Sequence, residues 1–368
     1  MQLNISIIQL ITICAVANGF IFGFLLLEKK ENRFANRFLF LSLICICLTF
    51  TPYMLDPSIW NTYRWLAWMP FSLSYWIGPS FYFYVRTLTN SSFRFTKKHL
   101  WHFSPIVLNY VHSIYHAIFP GSRTPWHWFH FVAELFESAA ILSILIYMIL
   151  SFKEVKKYQK QLLNNVSTIT EIDLQWVKKT IIVIVVSFVS ILIFLCISSG
   201  ISGKELFHQW NQYRSAVLLL YSCMLYWLSI RGYQQAQTIK ISKPSDSDIN
   251  LLDKESVKII DQLHNAMVNE KLFRNPELNL AGLSKSISVS ERTISEVLNG
   301  NLNKNFYQFV NEYRVKDVQE KLKDSKNSNL KILSLAFDAG FNSKATFNRL
   351  FKAYTGQTPK EFKFQNLR

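Results

Sequence analysis

"ILSLAFDAGFNSKATFNRLFKAYTGQTPKEF", residues Ile332 to Phe362, decides how the rest of this chain is read. Ile332 and Leu335 share one helical face, and the run stops at Gly340, which takes positive φ without a Cβ clash. Ser343 follows as a candidate N-cap. Phe347 and Phe351 then recur at i, i+4 on the inner face of a second helix. The reading is two short helices across a tight turn, with a last helix opening after Thr358-Pro359.

An upstream stretch repeats the pattern. Leu280–Lys285 and Glu291–Asn299 read as a second pair of short helices, with Ser288 at the turn and Ser290 as N-cap. Leu280, Leu283, Val289, Ile294 and Leu298 match Ile332, Leu335, Phe341, Phe347 and Phe351. A longer helix, about Phe306–Lys323, joins the pairs, and an opening helix covers about Glu255–Glu270. No stretch after Leu251 alternates as a strand would.

Two helix-turn-helix units on one connecting helix can present two helices to successive turns of the major groove of double-stranded DNA. The outward residues of the first are Arg292, Thr293, Ser295, Glu296 and Asn299. Those of the second are Lys344, Ala345, Thr346, Asn348, Arg349 and Lys352. Arginine reads guanine, asparagine reads adenine, and a glutamate can accept from cytosine. Solvated faces of a helical adaptor domain are the alternative reading.

The closing stretch resembles the signature of the AraC/XylS family of transcription regulators, and "SERTISEVLNGNLNKNFYQFVNEYRV", Ser290–Val315, is similar to that family's first recognition helix and linking helix. The likeness covers about Glu270–Phe364. It implies a bipartite all-helical DNA-binding domain, sequence-specific binding and control of transcription. It implies base readers at Arg292, Ser295, Glu296, Lys344, Ala345, Asn348 and Arg349, with Thr346 and Lys352 on the backbone. Ser288 stands where the family often has glycine, and Glu296 where it often has a basic residue. The wording "NFYQFVNEYRV" is similar to members carried on a membrane-spanning domain.

The N-terminal two-thirds differs in kind. Half of the chain is hydrophobic and 15% is aromatic, concentrated before Tyr233. Seven segments approach spanning length: Ile5–Leu27, Phe34–Leu55, Trp65–Val85, Leu100–Phe119, Phe129–Phe152, Thr180–Ile201 and Tyr213–Ile230. In a lipid bilayer such segments are helices, because lipid cannot satisfy the backbone. The N-terminal apolar run lacks a basic flank and is too long for a cleaved signal peptide.

Basic residues orient the bundle. The connections after segments one, three and five carry Lys29, Lys30, Arg33, Arg37, Arg86, Arg94, Lys97, Lys98, Lys153, Lys156, Lys157, Lys160, Lys178 and Lys179. The others carry Arg64, Arg123, Lys204 and Arg214. Fourteen against four places the first set, and the C-terminal domain, in the cytoplasm, with the N-terminus outside. Trp60, Trp65, Trp68, Trp126, Trp128 and Trp210 mark the outer edge as an aromatic belt would. The charged stretch Lys153–Leu163 reads as an exposed helix meeting lipid headgroups.

The net charge of +16 divides into +10 before residue 250 and +6 after it, which suits both cytoplasmic loops and a polyanion partner. The five cysteines, Cys14, Cys45, Cys47, Cys196 and Cys223, lie in apolar runs and read as small buried hydrophobes; none has metal-ligand spacing. His112, His116, His130, Glu134 and Glu137 gather at the expected outer face, the last three at i, i+4, i+7. Ionisable groups there suggest a ligand, metal or pH-sensing site; solvated ends of helices are the bland alternative.

Neither HExxH nor GxSxG occurs, and neither a catalytic residue nor a cofactor is expected. The expectation is an all-α chain: a seven-helix transmembrane sensor domain over 1–233, a polar linker over 234–250, and a double helix-turn-helix domain over 251–368. It sits in the cytoplasmic membrane as a multi-pass homodimer, answers a small-molecule signal, and acts on DNA with RNA polymerase as a further partner. A transporter or intramembrane enzyme carrying a DNA-binding reporter, and a membrane adaptor binding another protein, are the competing classes.

Overall fold

The computed structural model describes residues 6–54, 63, 73–90, 92–107, 110–111, 126–169, 173–198, 204–235, 253–327 and 329–366. Among them the fold is all helical and has no strand. The chain forms two compact units: Met1–Lys156 with Leu174–Lys240, and Lys157–Asp173 with Ile241–Arg368.

In the first unit, α1 is Ile7–Glu28, α2 Arg33–Phe50, α3 Ser74–Thr89, α4 Trp126–Asn165, α5 Gln175–Ser198 and α6 Lys204–Gln234. A Ser6–Gln9 capping box starts α1. Among the described residues four helical stretches are long and apolar enough to cross a membrane: Ile7–Glu28, Arg33–Phe50, Ser138–Asn165 and Ser215–Gln234. The expected segment Leu100–Phe119 opens differently, as a 3-10 helix over Lys97–Phe103. Most of its remainder lies outside the described residues.

The outward surfaces of these helices are greasy. Ile7, Leu10, Ile21 and Phe24 on α1, Leu142 and Ile149 on α4, and Ile182 and Val186 on α5 are exposed. A run of such side chains is costly in water and natural against hydrocarbon. Between helices the contacts are close and partly polar. Ser229 Oγ donates to Asn18 Oδ1 at 2.6 Å, and Ser222 Oγ donates to Thr12 Oγ1 at 3.3 Å. A Cβ on Gly232 would lie 2.3 Å from Leu39 Cδ2, so a small residue is what lets α6 approach α2. Cys45 and Cys47 are buried as expected, whereas Cys14 and Cys223 are exposed. Their apolar runs look outward there instead of inward.

His112 and His116 lie outside the described residues. His130, Glu134 and Glu137 fall on α4, as their spacing predicts, with side chains outside those described.

In the second unit, α7 is Asp253–Val268, α8 Leu280–Ile287, α9 Glu291–Glu296, α10 Phe306–Lys323, α11 Ile332–Asp338, α12 Lys344–Thr355 and α13 Pro359–Asn366. Two apolar cores divide it. Leu263, Met267, Leu280, Leu283, Ile294, Leu298 and Phe309 form one. Val315, Val318, Leu335, Phe341, Phe347 and Phe351 form the other. The central helix α10 contributes to both, which its apolar residues on more than one face require. Leu163, near the end of α4, and Ile169, in the connection to α5, pack against the second core. The stretch Lys153–Leu163, expected to meet lipid headgroups, belongs to this unit from Lys157 onward, and its Leu163 faces the second core.

Candidate nucleic-acid interface

The two helix pairs are built by the same local rules. Asn279 caps α8 through Gly282 N at 2.8 Å. Ser290 caps α9 through Thr293 N at 3.1 Å, and Ser343 caps α12 through Thr346 N at 3.4 Å. Each oxygen satisfies a backbone donor that the first helical turn leaves open. The turns differ in chemistry. Ser288 holds φ of 56°, a left-handed conformation unusual for a residue with a Cβ. Gly340 holds φ of 91°, and a Cβ there would sit 2.5 Å from Phe273 O and 2.8 Å from Arg274 O. Glycine is therefore demanded twice at residue 340, by the backbone angle and by the neighbouring chain.

On α12 the inner residues Phe347, Leu350 and Phe351 are buried. Lys344, Ala345, Asn348, Arg349 and Lys352 are exposed, and Thr346 is half-buried. Arg349 donates from Nη2 to the Tyr307 hydroxyl at 3.0 Å, which holds the end of its guanidinium against α10. Burial pushes the Tyr307 hydroxyl above its ordinary range, partly offset by the Arg349 and Arg314 charges, so it stays a neutral acceptor.

The first pair presents a different surface. Arg292 Nε donates to Glu296 Oε1 at 2.8 Å, with the arginine side chain only 19% exposed. Glu296 Oε2 is buried and accepts no hydrogen bond among the described residues. Thr293 Oγ1 shares a 2.7 Å hydrogen bond with Ser290 Oγ. Asn299 Nδ2 donates to Ser295 O at 2.7 Å and reaches Ser295 Oγ at 3.2 Å. After Glu296 the helix widens into one π-helical turn, Val297–Asn301. Such turns are uncommon and often mark sites where a helix must redirect its side chains.

Behind both faces, α10 carries a charge inside the protein. Arg314 is 1% exposed. It donates to Phe273 O at 2.7 Å, to Asn275 O at 2.8 Å and to Ser167 Oγ at 3.0 Å. Longer contacts run to Ser167 O, Thr168 Oγ1 and Asn311 Oδ1. Its guanidinium also lies 6.0 Å from the centre of the Phe341 ring. Burial lowers its pKa to about 10, which leaves it charged at neutral pH. The sequence reading passed over Arg314, although a signal existed. Tyr307, Asn311, Arg314 and Val318 follow one another at helical spacing and are all buried, so polar residues sit on an inward stripe.

Further ion pairs lie along α10. Glu312 takes both Lys304 and Lys316, and Asp317 takes Arg274 and Lys321. Burial pulls the Glu312 carboxyl upward, but the two lysines outweigh it and hold it below the usual carboxylate range.

Comparison with known proteins bears on this unit alone. Residues 283–365 match the family model described as a helix-turn-helix domain. Over 93 residues the chain is 31% identical to an uncharacterized HTH-type transcriptional regulator of Staphylococcus aureus strain COL. The same identity relates it to regulators of that description from strains MSSA476 and N315. The matched stretch is 25% of this chain and 12% of each of those relatives. No solved structure matches the chain significantly. What these likenesses establish is a C-terminal helix-turn-helix domain similar to those of transcription regulators.

Proposed function

We propose that this protein is a membrane-anchored, sequence-specific DNA-binding transcription regulator of the AraC/XylS type. One observation carries the reading: α12 is capped by Ser343, buried along Phe347, Leu350 and Phe351, and exposes Lys344, Ala345, Asn348, Arg349 and Lys352. A helix buried on one face and basic and amide-bearing on the other is what the major groove accepts. The match over residues 283–365 supports the same reading.

Arg349 and Asn348 read base edges, Lys344 and Ala345 lie beside them, and Lys352 and Thr346 meet phosphates. In the first pair Arg292, Ser295 and Asn299 face the neighbouring turn of DNA, flanked by Thr293, while Glu296 sets the position of Arg292. The apolar helices of residues 1–233 anchor the chain in the cytoplasmic membrane, and the linker 234–250 leads to the DNA-binding domain at 251–368. Seven apolar segments cross the bilayer, and the distribution of Lys and Arg between their connections puts the N-terminus outside.

The membrane half serves as a sensor, with His112, His116, His130, Glu134 and Glu137 as the candidate site for a small-molecule signal. Two chains act together, because membrane-held partners meet paired DNA sites at high effective concentration. RNA polymerase is the partner through which such a regulator acts. Mapping the DNA bound by the full-length chain in cells, with and without candidate signals, tests the reading. Enrichment of one sequence upstream of a restricted set of genes is expected. Uniform recovery of DNA regardless of sequence contradicts it.

A further inference from the structure

The second unit is discontinuous in sequence. Lys157–Asp173, the last turns of α4 and the connection from it to α5, belongs to it although residues 174–240 intervene. Val166 pairs with Asn279 in an isolated antiparallel bridge. Ser167 N donates to Leu278 O at 3.2 Å, Ser167 Oγ donates to the same oxygen at 2.6 Å, and Thr168 Oγ1 donates to Pro276 O at 2.9 Å. The connection thereby lies along the entry to the first helix pair. Asn311 Nδ2, from α10, donates to Ser167 O at 2.9 Å. Leu163 and Ile169 pack on the core of the second pair. Lys160, Leu163 and Asn164 line a shallow cleft with Asn299, Asn303 and Gln308, at the end of the first outward face.

Arg314 makes this arrangement more than a surface contact. Among the described residues no carboxylate pairs with it. Its charge is met by oxygens, and three of the six come from the connection: Ser167 Oγ, Ser167 O and Thr168 Oγ1. Two more, Phe273 O and Asn275 O, come from the segment leading into the first pair. A buried guanidinium that loses half of its acceptors is strongly unfavourable, so the groups at this junction hold or open together. Gly340, at the turn of the second pair, abuts the same Phe273 carbonyl and that of Arg274 beside it.

We infer that the α4–α5 connection is an intramolecular clamp that fixes the spacing between the two DNA-facing helices, with Ser167, Thr168, Asn311 and Arg314 as its positioning residues. The inference rests on the DNA-binding reading above and names the point at which the membrane half acts on it. When the connection is seated, α9 and α12 are held at one separation. When it is withdrawn, Arg314 hydrates, the joint between the pairs loosens, and discrimination among half-site spacings falls. The expected coupling is about 5–150-fold, the usual range for linked sites.

The experiment uses the full-length chain in lipid nanodiscs. A random-sequence duplex pool selects the paired half-sites, and fragments are then made with base pairs inserted one at a time up to one helical turn, about 10 base pairs. The wild type should prefer one spacing by at least about fivefold. Ser167→Ala combined with Thr168→Val should bind all spacings nearly alike, while keeping its affinity for the half-site read by α12 alone. A merely structural defect lowers that single-site affinity too. As a second arm, Val166→Cys/Asn279→Cys should form a disulfide readily, since residues opposite each other across an antiparallel bridge have Cα atoms about 4.5–5.5 Å apart, within disulfide reach. An unchanged spacing preference in the Ser167/Thr168 variant, or failure of the cysteine pair to join, overturns the clamp while leaving DNA binding in place. A pool that yields no enriched sequence overturns the DNA-binding reading itself, and the clamp with it.

Discussion

The two outward faces of the C-terminal unit share an architecture and differ in readiness. On α12 the polar side chains stand in solvent, and the one such bond, from the Arg349 guanidinium, runs across to Tyr307 of α10 and not along its own helix. In the first pair the equivalent groups are occupied with one another: Arg292 with Glu296, Thr293 with Ser290, Asn299 with Ser295. A side chain already bonded within its own helix must give up that bond before it contacts a base. On the DNA-binding reading proposed above, the first face has to exchange bonds within its own helix to meet a base, which the second does not.

Removing the second face altogether gives the largest effect. Gly340→Ala places a methyl group 2.5 Å from Phe273 O at φ of 91°, and the strained angle alone costs about 1–3 kcal/mol. Thermal unfolding of the variant should show that loss, and DNA retardation should show binding reduced to what the first pair sustains. A stability equal to the wild type contradicts the reading of this turn.

The two arginines sharpen the contrast. Arg349→Ala should cost about 1–3 kcal/mol and relax selectivity at one base pair. Arg292→Ala should cost less than half as much, because its ion pair to Glu296 must break before it contacts DNA. Competition binding against single-base variants of the selected site measures both. Equal penalties would erase the proposed asymmetry.

Glu296→Gln works in the opposite direction. It gives up an i,i+4 ion pair worth about 0.3–0.5 kcal/mol and removes one negative charge from the face proposed to meet DNA. DNA affinity should rise, and the dependence of binding on salt should steepen by about one unit of slope. Weaker binding would show that Glu296 itself contacts a base.

The smallest effect concerns acid. The Glu312 carboxyl is held below its ordinary range by Lys304 and Lys316, against the pull of burial. Its contribution to stability is fully present above the unfolded carboxylate value of about 4.3 and fades as pH falls through the lower folded value. Lys304 lies at the end of the first pair, so hydrogen exchange there should quicken in acid before exchange in α12 does. Simultaneous loss of protection in both pairs contradicts this order.

Much of this unit was legible in the residues. The bounds of α10 match the reading of Phe306–Lys323, and the caps Ser290 and Ser343 make the hydrogen bonds that their types predict. Helical periodicity and caps are local signals, so a single stretch of sequence carries them. The ion pair of Arg292 and Glu296 was within reach by its i, i+4 spacing but was read as two separate base contacts. The π-helical turn over Val297–Asn301 has no such signature; it follows from how α9 meets the first core. The Ser167–Arg314 contact spans 147 positions, and complementarity between such distant segments leaves little local trace. In residues 1–233, four of the seven expected segments coincide with helical stretches of spanning length and apolarity among the described residues, signals carried by local composition.

The unit's edge in space is not its edge in the chain. A fragment starting at the polar linker would carry every residue of both helix pairs and still lack Val166, Ser167 and Thr168, leaving the hole around Arg314 open to water. Anyone grafting this reader onto another input, or trimming it for study in isolation, should bring the 157–173 stretch along, supplied in trans as a peptide or spliced in ahead of α7.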